Sequence, residues 1–255
     1  MSFSRFSELR KKANFDLSQI KRIMSGQTST KVLEIGPGKG HLASKLNKIV
    51  DYYCMDIVSD YLIDIPGKKF LGNVENAPNS LYGFFDLIIA CDVLEHVLNE
   101  GNAMEEINSL LAEGGVFYLR VPNKEPLIHY ATFTGTKYPF VHLRSYSKLT
   151  IKMNGYAHNF SPQKIGTVNF GKYSYSRRNF GLSQFYLRNA RNLRNQLRFD
   201  GAIQVTKQNL IRMYFKNLFS KNSTMNRFVN KIYNRVFFRG TEIYAILKKN
   251  VVKID

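Results

Sequence analysis

The stretch from Lys31 to Ala43, KVLEIGPGKGHLA, decides the fold. Val32, Leu33 and Ile35 form a short apolar run that breaks into Gly36, Gly38 and Gly40 at two-residue spacing, after which the chain enters an amphipathic segment. Such a run, bounded by glycines, reads as a buried strand, a tight turn and a helix. Glycine lets the backbone turn where a Cβ would clash and lets a ligand approach the main chain. A helix starting there aims its amide groups at the same point. The stretch therefore predicts a cofactor seat at the carboxyl end of the first strand.

The spacing narrows the choice of cofactor. A dinucleotide fingerprint wants a third Gly or Ala five positions after the first, for close helix-to-strand packing. Here that position is His41, the third glycine is Gly40, and Glu34 sits inside the strand, giving E-x-G-x-G-x-G. This pattern resembles the first motif of class I S-adenosylmethionine-dependent methyltransferases. Tyr52 to Asp56, YYCMD, adds a second apolar strand that ends in an acid. A carboxylate in that place can accept both ribose hydroxyls, although dinucleotide sites share this feature. The resemblance implies S-adenosylmethionine as cofactor, held by Glu34, Gly36, Pro37, Gly38, Gly40, Asp56 and Ile57.

Further along, Phe70 and Leu71 predict a third strand. The resemblance then puts Asn73 and Val74 beside the adenine, although Asn73 stands where the family more often has an acid. FFDLIIACDVLEHV, residues 84–97, contains the continuous apolar run expected of a central parallel strand buried on both faces. It is similar to the family's fourth-strand motif, which implies that Asp92 and Val93 approach the methionine part of the cofactor. A helix is expected over Glu105 to Ala112, ended by Gly114 and Gly115, with GGVFYLRVPN as the fifth strand. The aromatic stretch 123–146 leaves the sheet at its ligand end and reads as a substrate-side loop or lid. HLRSYS, residues 142–147, resembles a segment of methyltransferases of the quinone-biosynthesis type, and a helix is expected from a Ser147 cap to Met153, with Gly155 as its stop. TEIYAILKK, residues 241–249, looks like the family's last, antiparallel strand.

The expected fold is α/β: a Rossmann-like, doubly wound sheet, mostly parallel with an antiparallel last strand, carrying a basic helical insertion before that strand. Residues 1–27 would form an N-terminal helical cover, 28–170 with 240–255 the core, and 171–239 the insertion. Charge marks the boundary. Residues 1–150 hold 17 Lys or Arg against 16 Asp or Glu, whereas residues 151–255 hold 20 against 3. In the insertion, Arg188, Arg191, Arg194 and Arg198, and then Arg227, Lys231, Arg235 and Arg239, recur at helical spacing. Such a basic field gathers anionic partners: acidic or phosphorylated acceptors, anionic membrane surface, or nucleic acid. A chain of 255 residues that is 44% hydrophobic is long enough for one domain burying roughly 70% of its unfolded surface. No signal peptide and no run of eighteen apolar residues is visible, so a cytoplasmic protein is expected, with peripheral membrane contact as an extension. Cys54 and Cys91, each in an expected buried strand, read as small core hydrophobes.

Methyl transfer from a sulfonium is an in-line displacement in which alignment does most of the work, and an alcohol or phenol acceptor gains from a nearby base. Asp92, Glu95, His96, His129 and His142 are the candidates at the ligand end, with His142 favoured as base and His96 beside it. Asp92, Glu95 and His96 also form D-x-x-E-H, resembling the divalent-ion site of a minority of related enzymes. Most of those begin with Glu, and no metal is assigned here. The expected activity is O-methylation of a small molecule, sugar or lipid-linked or phosphorylated acceptor. The alternative is RNA or DNA methylation, against which CDVLEH lacks the short polar-Pro-aromatic motif of base-methylating enzymes. A cofactor-binding peripheral membrane protein without turnover is a third reading.

Overall fold

The structure, a computed structural model, describes residues 3–25, 30–123, 143, 144, 146–168, 170 and 242–251, with side chains from residue 9 onward. Its centre is the apolar strand before the glycines: β1 (Lys31–Ile35) lies between β2 (Asp51–Asp56) and β4 (Phe85–Cys91), parallel to both. Strand β3 (Lys68–Leu71) extends the sheet beyond β2, and β5 (Leu111–Pro122) extends it beyond β4. The described sheet has the order β3-β2-β1-β4-β5-β7-β6, where β7 (Glu242–Lys249) runs antiparallel to both β5 and β6 (Phe160–Val168). This is the mostly parallel, Rossmann-like sheet with an antiparallel last strand that the sequence predicted.

Period-two alternation divides the apolar residues between two faces. Leu33, Met55, Ile88 and Ala90 pack against Ala103, Met104, Ile107 and Leu110 of α3 (Glu100–Leu110) and Ile151 of α4 (Lys148–Ala157). Val32, Tyr52, Cys54, Leu87 and Ile89 pack against Ala13 and Ile20 of α1 (Phe3–Ile23) and against Ala43 and Leu46 of α2 (Ala43–Leu46). Strands buried on both faces have no solvent side to alternate toward, which is why β4 reads as an unbroken apolar run.

Several boundaries differ from the sequence reading, each for a local reason. The helix after the glycines is one four-residue turn, so it supplies little helix dipole. Helix α3 begins at Glu100, five residues earlier than expected, because the Asn99 side chain accepts from the Asn102 N–H and caps it. It ends at Leu110, and Leu111 already belongs to β5. Gly114 and Gly115 fall instead at the register shift where β5 pairs Leu111 with Phe85 but Val116 with Leu87. Helix α4 starts as predicted, with Ser147 and Thr150 forming a reciprocal capping box. It runs through Gly155, which is buried against Leu247 and Pro162. Strand β6 went unrecognised in the sequence. The basic stretch 171–239 and the aromatic loop 124–142 lie outside the described residues.

Candidate active site

Strand order reverses between β1 and β4, with β2 and β3 on one side and β5 on the other. Open α/β sheets place their ligands in the crevice at such a switch point, beyond the carboxyl ends of the strands. Register brings four of those ends to one level: Ile35 pairs with both Met55 and Ala90, and Asp56 pairs with Leu71. Gly36, Asp56, Gly72 and Asp92 follow at or just past these pairs. A cavity of about 320 Å³ opens there, lined among the described residues by Ile35, Gly36, Gly38, Met55, Asp56, Ile57 and their neighbours up to Leu98.

Each wall has a local cause. Gly36 donates to the Met55 carbonyl at 2.8 Å and adopts φ +65°; a Cβ there would stand 2.7 Å from Val93 Cγ2, so only glycine lets β1 pass under the turn after β4. Gly38, at φ +55°, has nothing within 4 Å of its Cβ position and lines the cavity, so its bare backbone faces a ligand. At the end of β2, one Asp56 oxygen accepts the Val58 N–H at 2.9 Å. Burial pushes the Asp56 carboxyl up from its ordinary value, against the Val58 and Ile57 amides, which favour the anion. Ile57 is exposed and apolar on the same wall, a surface suited to the face of a flat base. The Asn73 side chain accepts the Glu75 N–H, and the Glu75 carboxylate accepts the N–H groups of Leu98 and Asn99 at 2.9 and 2.8 Å. Glu75 thereby ties the loop after β3 to the loop after β4 across the cavity.

The loop after β4 is held from below as well. Arg144 donates to the carbonyls of Leu94, Val97 and Leu98, and the Leu143 N–H donates to the Glu95 carbonyl at 2.7 Å. These contacts fix the turn that carries His96 into the cavity lining. Residues 92–96 form a turn rather than a helix, so the D-x-x-E-H spacing does not give Asp92, Glu95 and His96 the single face it would have on a helix. The Glu95 side chain is fully buried, neither carboxyl oxygen has a hydrogen-bond partner, and burial followed by the nearby Asp92 charge pushes its carboxyl up to about 8. Asp92 keeps a side chain 35% exposed on the cavity wall. Burial would raise its carboxyl, but Arg120 and Lys12 outweigh that and hold it below the usual range. Among the described residues, no group of three or more His, Cys, Asp or Glu side chains is arranged to hold a metal ion.

Of the residues singled out by sequence, the cavity lining brings together Gly36, Gly38, Asp56, Ile57, Asn73, Val74, Asp92, Val93 and His96. Glu34 does not join them. It points to the α1 face of the sheet, buried, with its carboxylate accepting from the Tyr52 hydroxyl, and burial raises it to about 7. Pro37 and Gly40 are not on the lining either; the Gly40 N–H bonds the Pro37 carbonyl and closes the turn from behind. His129 and His142 lie outside the described residues. Sequence reading missed Tyr61 on the lining and the tie from Arg144, which no local pattern announces.

A doubly wound sheet with a glycine turn, a strand-end acid and a cavity at the switch point defines a class of enzymes that hold a nucleoside cofactor in this crevice. The family model described as a methyltransferase domain matches residues 5–198, and the chain belongs to that family. It is an S-adenosylmethionine-dependent methyltransferase. No curated protein matches the sequence. Among solved structures, the fold is similar to a chain of the Haloferax volcanii complex between the Trm112 methyltransferase activator and a methyltransferase, with TM-score 0.59 and 11% identity over 98% of this chain and 95% of that one. It is also similar to a SAM-dependent methyltransferase of Archaeoglobus fulgidus, with TM-score 0.57 and 15% identity over 98% and 100% of the two chains. A third likeness, to an S-adenosylmethionine-dependent methyltransferase of Clostridium acetobutylicum, has TM-score 0.56 and 10% identity over 95% and 92%. The cavity fits this cofactor. Its volume suits one nucleoside-sized ligand, Gly38 leaves open space for a close backbone approach, and Asp56 presents a carboxylate on the wall.

Proposed function

We propose that the protein transfers the methyl group of S-adenosylmethionine to a hydroxyl of a small molecule or sugar, a class that includes phosphorylated and lipid-linked acceptors. One observation carries this reading: His96 lines the cavity on the turn after β4, which Arg144 and Leu143 hold in place. A hydroxyl must lose its proton as it is methylated, and histidine is the side chain whose ordinary pKa suits that task near neutrality. The bound cofactor supplies an activated methyl group on a sulfonium. In this reading Asp56 accepts the ribose hydroxyls, the bare backbone of Gly36 and Gly38 admits the cofactor closely, and Asn73 with Ile57 flanks the adenine. His96 accepts the acceptor's proton, with His142 as the other base candidate.

Nucleic acid is the second reading, favoured by 20 Lys or Arg against 3 Asp or Glu in residues 151–255. Incubation with methyl-labelled donor and a fractionated cell extract separates the two. Label in small-molecule, glycan or lipid fractions supports the first, and label in RNA alone contradicts it. His96→Gln is expected to lower turnover of a hydroxyl acceptor by about 10²–10⁴-fold while leaving cofactor affinity within about twofold. An unchanged turnover would remove His96 from the mechanism.

A further inference from the structure

A protein with a formal net charge of +18 has built its cavity from acids. Among the described lining residues Asp56, Glu75 and Asp92 are carboxylates, and none is Lys or Arg. Two of the three carboxylates are held by backbone N–H groups: Glu75 accepts from two of them, and Asp56 accepts from Val58. Asp92 belongs instead to a cluster of charges that reaches behind the cavity wall. Its carboxylate accepts both bonds of one Arg120 nitrogen at 2.9 and 3.0 Å and lies 3.3 Å from the Lys12 ammonium of α1. Arg120 also meets Asp16 at 3.1 Å and Glu242 at the start of β7, and Lys12 meets Glu242. The Tyr118 hydroxyl donates to Asp16 at 2.7 Å.

The cluster holds three carboxylates, Asp16, Asp92 and Glu242, and two cations, Lys12 and Arg120. One negative charge is left over. The cluster shows it only at Asp92, because Asp16 and Glu242 are almost fully buried while the Asp92 side chain is 35% exposed on the cavity wall. The backbone at Asp92 adopts φ +57°, a left-handed conformation uncommon outside glycine that persists where the surroundings enforce it. Its N–H bonds the Arg120 carbonyl at 2.8 Å, so backbone and side chain are locked to the same residue of β5.

We propose that this excess carboxylate makes the cavity a charge reader that prefers the cationic methyl donor to its neutral product, with Asp92 as the reading group and Lys12 and Arg120 setting its strength. The inference rests on the cavity being the cofactor site. S-adenosylmethionine carries an ammonium, a carboxylate and a sulfonium, a net charge of one. S-adenosylhomocysteine, which remains after the methyl group has gone, has the first two only. The attraction between two unit charges about 12 Å apart is worth roughly tenfold in affinity at an effective dielectric of about 20, and more when they are closer, so roughly tenfold is the least difference expected across the cavity. The same difference would speed departure of the spent cofactor.

Titration calorimetry on the full chain tests this with two unreactive probes, S-adenosylhomocysteine and sinefungin, whose side-chain amine carries a positive charge beside the position of the sulfur. The wild type is expected to bind sinefungin at least about tenfold more tightly. In Asp92→Asn the ratio should contract toward one, and in Lys12→Met, which removes a neutralising cation, it should widen. Should Asp92→Asn fail to fold, Lys12→Met alone decides. Equal affinities in the wild type, or a ratio unmoved in the folded variants, would overturn the proposal. If neither probe binds the wild type, the reading of the cavity as a cofactor site fails, and this proposal with it.

Discussion

Two carboxylates at the ligand end of the sheet owe their behaviour to burial, in opposite senses for function. Asp56 must be ionised to accept two hydroxyls, and burial pushes its carboxyl up while the amides after it favour the anion. Asp56→Asn is expected to weaken S-adenosylhomocysteine binding by about ten- to a hundredfold, the worth of a charge-assisted hydrogen bond at ~1.5–3 kcal/mol, with the melting temperature little changed. An unchanged dissociation constant by calorimetry would mean that the ribose lies elsewhere. Glu95 is the converse case, held at about 8 by burial and by Asp92, against an ordinary value of 4.5. Over that interval the native chain keeps a proton that the unfolded chain has lost. Its contribution to stability is therefore full below about pH 4.5, falls as pH rises to about 8 and is lost above it. Glu34, raised to about 7, acts in the same direction. Urea unfolding from pH 5 to 9 should show stability declining across the range, and Glu95→Gln should flatten that decline by an amount on the order of a few kcal/mol. Parallel profiles for the two proteins would show that Glu95 is not protonated in the native state.

At the scale of elements, the site depends on loops held by partners distant in sequence. Arg144 fastens the turn after β4 through three carbonyls and faces Glu100 of α3 at 3.6 Å. Arg144→Met keeps the apolar stem and removes the donors. It is expected to cost about 1–3 kcal/mol of stability and to lower turnover more than it weakens cofactor binding, because the turn that carries His96 loosens while the Asp56 side of the cavity stays intact. A fall in cofactor affinity as large as the fall in turnover would contradict that division. How much of this was legible in the sequence follows the range of the interactions. The first strand, the glycine turn, the strand-end acid and the apolar fourth strand are local patterns, so they could be read directly. So could the Ser147 cap, because capping acts over three residues. Strand β6, FSPQKIGTV, was hidden by Pro162 and Gly166, by its outer place in the sheet and by the register shift near Pro162. The cluster around Arg120 was hidden because residues 12 and 16, both on α1, lie far along the chain from 92, 120 and 242, and only the completed sheet gathers them.

For the molecule as a whole, charge and fold divide the work. The parallel strands and their helices build an acidic crevice at the switch point, while the cationic excess belongs to residues 151–255, most of which lie outside the described residues. No described helix is long and apolar enough to cross a membrane. The assignment of the crevice to a sulfonium nucleoside rests on the third glycine, which comes at Gly40 with His41 in the place a dinucleotide site gives to a small residue. Calorimetric titration of the purified chain, with S-adenosylhomocysteine in one series and a nicotinamide dinucleotide in the other, tests that assignment most directly. One-to-one binding of the thioether nucleoside, with no heat from the dinucleotide, is the expected result. Binding of the dinucleotide, or heat from neither, would contradict it.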